Sequence, residues 1–189
     1  MPRAVVITGP SGVGKGTLIR SLREAMPELQ LSVSATTRLP RPGESQGIDY
    51  HFMSPEEFER HVRDGDFVEH ADYASARYGT LRSELETRMA SGAPVVLEIE
   101  VQGARQVRRT MPEAVQVFIA PPSVEALRAR LVGRGTDAPE QVEARLRTAE
   151  DELAAQDEFA RVVVNDRLEQ AVAELVAVVR EATGGNAGR

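Results

Sequence analysis

The chain has 189 residues, 41% hydrophobic and 28% charged, enough for one domain with a substantial core. Its 29 acids against 23 bases leave a net charge of −6, which argues against a general nucleic-acid binder; local basic clusters suit small anions instead. Zero cysteines exclude disulfides, thiolate metal sites and thiol chemistry, no apolar run approaches the ~18 residues of a membrane span, and no signal-peptide layout precedes the first strand pattern, so the expected setting is cytoplasmic with no membrane partner.

Ala4-Val5-Val6-Ile7 predicts a buried strand. Gly9, Pro10, Ser11, Gly12, Val13, Gly14, Lys15, Gly16 and Thr17 follow it, leading into a helix over about 15–26 that carries Leu18, Ile19 and Leu22. Strand, glycine-rich turn and helix in this order give G-x-x-x-x-G-K its meaning as a phosphate-binding loop. The glycines let successive N–H groups point inward, the helix contributes its positive end, and Lys15 adds a full charge. The result is a cradle for the β- and γ-phosphates of a nucleotide. Gly16 stands where the usual pattern has a Ser or Thr that ligates Mg²⁺. Thr17 is rotated by about 100° along the helix and does not simply replace it, which leaves the metal ligands undetermined.

Leu29–Val33 reads as a short strand, and residues 34–43, with Pro40, Pro42 and Gly43, read as a loop. Residues 45–80 break the strand–helix rhythm: short strand signals at 50–52 and 67–69 flank a helix over about 55–63, which Ser54 and Glu57 start with a capping box. A helix over 81–89, a buried strand from Pro94 to Glu100, a helix over 102–110 and a strand over 115–119 follow. Pro121-Pro122 stops that strand and Ser123 caps a helix over 124–132. Gly133-Arg134-Gly135-Thr136 reads as a turn, 139–155 as a charged helix, 162–164 as the last strand and 168–180 as the last helix. Alternating strands and helices predict an α/β fold with a parallel sheet and ligands at the carboxyl ends of its strands.

Several motifs in this order resemble guanylate kinases: the loop at 9–15, Ser34 with Thr37-Arg38, Arg41 with Gly43-Glu44, Asp49-Tyr50-His51-Phe52, Phe67-Val68-Glu69, Tyr78-Gly79-Thr80, the run from Glu98 to Gly103, Gly133-Arg134-Gly135 and Val164-Asn165-Asp166. The resemblance spans about residues 4–180. It implies a three-layer P-loop kinase core with a parallel sheet (1–33, 81–122 and 156–182), an inserted α+β lobe for GMP (34–80) and a helical lid (123–155), with a disordered tail at 183–189. It also implies ATP as phosphoryl donor, Mg²⁺ carried by ATP, and GMP and dGMP as acceptors, in purine nucleotide metabolism and GMP recycling.

By this resemblance Glu69 receives the guanine. An ionised carboxylate accepts only, and it can take the adjacent N1–H and 2-amino donors bidentately. Ser34 and Thr80, with Gly79 beside them, match positions that meet O6. Arg38, Arg41, Tyr50 and Tyr78 match a clamp for the GMP phosphate, because arginine forks bind a phosphate bidentately and each phenol adds one directed donor. Lys15, Arg134 and Arg145 match the catalytic cations, Arg130 a further lid arginine and Asn165 a contact to adenine. Glu98 and Glu100 fall on one strand face by period 2. Three roles stay open for them: ordering metal-bound water, meeting the 2-amino group, or simply ending a strand. The attacking phosphate is already anionic, so no histidine is needed as a base. Two other readings also remain open, a kinase of the same fold with a different acceptor and a silent protein-binding relative.

Overall fold

The computed structural model describes residues 4–73, 75–132 and 139–184. Nine strands and seven α-helices follow one another among them: β1 (Val5–Thr8), α1 (Lys15–Ala25), β2 (Gln30–Leu31), β3 (Ala35–Thr36), β4 (His51–Phe52), α2 (Pro55–Asp64), β5 (Phe67–Tyr73), β6 (Ala76–Leu81), α3 (Arg82–Ala90), β7 (Val95–Glu98), α4 (Val101–Thr110), β8 (Val115–Ala120), α5 (Val124–Val132), α6 (Pro139–Ala154), β9 (Val162–Val164) and α7 (Leu168–Ala182).

Five strands form a parallel sheet in the order β2-β7-β1-β8-β9. After β1 the chain lays down the outer strand β2, returns to fill the place beside β1 with β7, and then crosses to β8 on the other side, so a crevice opens at the carboxyl end of β1, beside β7. Both faces of the sheet are buried, and strand alternation divides them. Val5, Ile7, Val96, Val117 and Ile119 pack with Leu18 and Leu22 of α1, Leu127 and Leu131 of α5, Leu146 and Ala149 of α6 and Leu175 of α7. Val6, Leu97 and Phe118 face the other way, onto Val101, Ala104 and Val107 of α4 and Leu85 of α3. Helices cover both faces because every residue of β1 is apolar or buried, which leaves neither side fit for water.

A second, four-stranded sheet runs in the order β4-β3-β6-β5 and keeps a small core of its own, Ala35, Phe58 and Phe67, with Phe58 and Phe67 stacked at 4.5 Å. Ser54 caps α2 with the reciprocal capping box expected from the sequence.

Three expectations need correction. The second strand is only Gln30–Leu31, since the chain leaves β7 after two paired residues. Residues 35–36 and 76–81, taken as loop and unassigned motif, are strands β3 and β6, because they pair with each other and with their neighbours in the second sheet. The strand before α4 ends at Glu98, and Glu100 is the N-cap residue of α4. The turn at 133–136, and with it Arg134, lies outside the described residues, as do 185–189 of the expected tail. Thr183 and Gly184 close the end of α7.

Candidate active site

The phosphate loop leaves β1 as a tight turn. Gly14 is the N-cap residue of α1 at φ 98°, and a Cβ there would stand 2.7 Å from Asn165 Nδ2, so both conformation and space require glycine. Asn165 Nδ2 donates to the Val13 carbonyl at 2.8 Å, Arg130 Nη1 donates to the same oxygen at 3.1 Å, and Arg130 Nη2 donates to the Asn165 carbonyl at 3.0 Å. Arg130 and Asn165 therefore brace the back of the loop.

A carboxyl oxygen already meets the loop. The Ser11 N–H donates to Glu152 Oε2, 2.9 Å away on α6. Lys15 folds back, donating to the Gly9 carbonyl at 2.5 Å and to Pro10 at 3.3 Å. Burial pushes the Glu152 carboxyl up to about 7, and Glu100 beside it pushes the same way against the Ser11 amide and Lys15. Glu152 was missed in the sequence, where it is one acid on a charged helix. The available signal was helical period, since Arg145, Ala149 and Glu152 fall at i, i+4 and i+7 on one face.

Pro10, Ser11, Gly12, Gly14, Lys15, Gly16, Thr17, Glu98 and Glu100 border the open crevice over the loop. A second cavity of about 390 Å³ lies between the two sheets, bordered by Ser34, Tyr50, Glu69, Tyr78, Glu98, Glu100 and Gly103. Glu98 and Glu100 line both spaces, so the two share a wall. Glu98 has its carboxyl pushed up, first by the loss of water inside the crevice and then by Glu100, while Lys15 draws it down.

Glu69 is the buried acid of the cavity, with 5% of its surface exposed. Strand β5 carries a bulge between Phe67 and Glu69: Phe67 pairs with Leu81, but Glu69 pairs with Thr80. The extra residue re-aims the side chains beyond it. It sets Glu69 directly across from Thr80, whose hydroxyl donates to Glu69 Oε1 at 2.7 Å. Burial drives the Glu69 carboxyl up to about 7 against the lowering effect of Thr80. Thr80 is fully buried, and its proton goes to Glu69. Gly79, next to it on β6, packs under the Glu69 carbonyl and the Phe67 ring.

At the far end of the cavity Arg38, Tyr50 and Tyr78 converge. The Arg38 guanidinium lies 5.2 Å from the Tyr50 ring centre, and the Tyr50 and Tyr78 rings stand 6.0 Å apart. Glu44 holds the arrangement: it accepts from Arg38 Nη2 at 2.8 Å and from the Arg41 N–H at 2.7 Å. The bond from Glu44, and then the Tyr78 hydroxyl, raise the Arg38 pKa against the effect of burial. The side chain of Arg41 is exposed on this loop. Glu44 was read only as part of a motif; its spacing of three from Arg41 is the signal for the turn it closes. Arg145 stands half-buried on α6. None of His51, His61 and His70 borders either space, and no helix among the described residues is long and apolar enough to cross a membrane.

The family model for guanylate kinase matches residues 1–182. The guanylate kinase of Synechococcus sp. (strain CC9311) is 57% identical over 92% of this chain and 91% of its own length. That of Mycolicibacterium paratuberculosis (strain ATCC BAA-968 / K-10) is 52% identical over 99% of this chain and 87% of its own. The crystal structure of guanylate kinase from Anaplasma phagocytophilum superposes with a TM-score of 0.74 at 33% identity, covering 96% of this chain and 86% of that one. With its phosphate loop in one crevice and its buried acid and tyrosines in the cavity that adjoins it, the chain belongs to the guanylate kinase family.

Proposed function

We propose that the chain is an enzyme that transfers a phosphoryl group from ATP to GMP, ATP + GMP ⇌ ADP + GDP. The observation that carries this is the buried Glu69 in a cavity that shares its Glu98–Glu100 wall with the phosphate-loop crevice. Ionised, Glu69 takes the two adjacent N–H donors of guanine. Adenine lacks that pair and leaves the acid unpaired, a mismatch that costs orders of magnitude in kcat/KM. The same base contacts serve dGMP. Thr80 steadies the carboxylate, and Ser34, which lines the cavity, is the hydroxyl we assign to O6. Arg38, Tyr50 and Tyr78, with Arg41 swinging in from its exposed loop, hold the acceptor phosphate.

On the donor side, the amides at 11–17 and Lys15 hold the β- and γ-phosphates, Lys15 exchanging the Gly9 and Pro10 carbonyls for phosphate oxygens. Arg145 and Arg134 neutralise charge on the equatorial oxygens as the phosphoryl group moves, and a closed lid excludes water. Arg130 and Asn165 act by bracing Val13. Oxygen donors suit Mg²⁺, which keeps several waters and uses one or two carboxylates with substrate phosphates. Glu98 and Glu100 border the loop crevice and fit that pattern, and Gly16 offers no hydroxyl. Bound with ATP, the ion neutralises phosphate charge. The three proposed units are the parallel-sheet core at 1–33, 81–122 and 156–182, the GMP lobe at 34–80 and the lid at 123–155. Cysteine-free and acting on free nucleotides, the chain is suited to the cytoplasm and to recycling of GMP.

A coupled assay with GMP, dGMP, AMP, UMP and CMP under ATP and Mg²⁺ tests the assignment. GMP and dGMP should lead by orders of magnitude. AMP outpacing GMP would remove the guanine reading.

A further inference from the structure

Gly103 sits in the first turn of α4, buried on the helix stripe that also carries Val101, Ala104 and Val107. Its backbone is ordinary helix, so conformation does not call for glycine, and alanine there would favour the helix by about 1 kcal/mol. Space is what calls for it. A Cβ at 103 would lie 2.7 Å from Glu69 Oε2 and 3.2 Å from the carboxyl carbon, with Ile99 Cδ1 at 3.4 Å.

The helix is not free to retreat from that collision. Gln106 Nε2 donates to the His70 carbonyl at 2.6 Å, and its Oε1 accepts from the His70 N–H at 3.1 Å. Thr110 Oγ1 donates to the Val68 carbonyl at 2.7 Å. These bonds pin α4 to β5 on both sides of Glu69. The end of a side chain yields more easily than pinned backbone, so the displacement falls on the carboxylate. Its other oxygen is tied to Thr80 at 2.7 Å, so any turn of the group strains that bond as well.

We propose that Gly103 is a specificity-determining residue. The absent side chain sets the plane of the Glu69 carboxylate, leaving Oε1 on Thr80 while Oε2 stays in the cavity for the base. Gly103 is a positioning residue that acts through Glu69, and this inference rests on the reading of Glu69 as the guanine acid.

The test is Gly103→Ala, assayed with GMP and with inosine monophosphate, which keeps N1–H but lacks the 2-amino group. A turned carboxylate loses one of two directed bonds. The expected result is a roughly 10- to 100-fold fall in kcat/KM for GMP, a GMP-over-inosine preference shrinking toward unity, and an unchanged KM for ATP. The melting temperature should stay close to wild type, the gain in helix propensity offsetting part of the strain at Glu69. In a Glu69→Ala background, adding Gly103→Ala should cost nothing further, since the group it displaces is gone. Wild-type GMP kinetics in the single variant, or a further tenfold loss in the Glu69→Ala background, would overturn the inference. Should Gly103→Ala fail to fold, folding of the double variant would support the collision with Glu69, and failure of both would overturn it. A wild-type chain that ignores GMP would defeat the guanine reading itself; a wild type that uses GMP beside an indifferent Gly103→Ala would defeat only this inference.

Discussion

The carboxyl of Glu69 has two demands on it that conflict. Burial favours its protonated form in the ligand-free protein, up to a pKa of about 7, whereas the proposed contact to guanine needs the ionised form. Since this pKa is raised on folding from an ordinary 4.5, the protonated acid's stabilising contribution is complete below about 4.5 and lost as pH rises through about 7. Glu69→Gln keeps an acceptor for Thr80 without the charge. It should melt several degrees above wild type at pH 8, by thermal unfolding without ligand, and the gap should close near pH 5. In wild type, KM for GMP should fall from pH 6 to pH 8. The glutamine variant should show a much higher KM, with the slope reduced to that of the GMP phosphate, which ionises near pH 6 on its own. A parallel slope in both proteins would detach Glu69 from guanine. The acid could be found from Phe67-Val68-Glu69 in its run of motifs, but its tie to Thr80 could not. That tie depends on a bulge, which no residue type in β5 announces.

At the scale of elements, α6 touches the phosphate loop through a carboxylate placed where a phosphate oxygen would accept. Glu152→Gln weakens that competitor for the Ser11 amide and removes a like charge from beside Glu100. ATP binding, measured by calorimetry at pH 8 without GMP, should tighten several-fold. An unchanged affinity would mean that the loop fills without contest. The charged pattern of 139–155 was enough to read a helix but not which acid turns inward, because the partner backbone lies 141 residues away in sequence. Local strength explains which elements were legible. The capping box of α2 and the apolar runs of β1, β7 and β8 are written in consecutive residues. Strands β3 and β4 have two residues each, too few to display any period, and they exist through pairing alone.

For the molecule as a whole, the two-sided parallel sheet carries the stability. Phe118 is fully buried on β8, with its ring 5.3 Å from that of Phe159. Phe118→Ala should cost about 3–5 kcal/mol by urea unfolding. Because ligands that bind only the folded state stabilise by mass action, saturating GMP should recover part of that loss. A cost under ~1 kcal/mol would mean that the core closes over the gap. The order of strands and helices in this sheet was readable because its strands are consecutive apolar runs and α1, α4 and α7 each carry a clear apolar stripe. Of the four-stranded sheet, the signals at 50–52 and 67–69 were readable, but β3, β6 and the pairing that joins all four were not.

Neighbouring residues on β5 are rooted in different cores: Phe67 in the small cluster with Phe58, and Val68 in the cluster beneath α4. Any rotation of the small sheet against the parallel one must either keep its axis near residues 67–68 or extract one of these side chains. Glu69 follows them directly on β5, and its neighbours Val68 and His70 are both tied to α4, so such a rotation would displace Glu69 least.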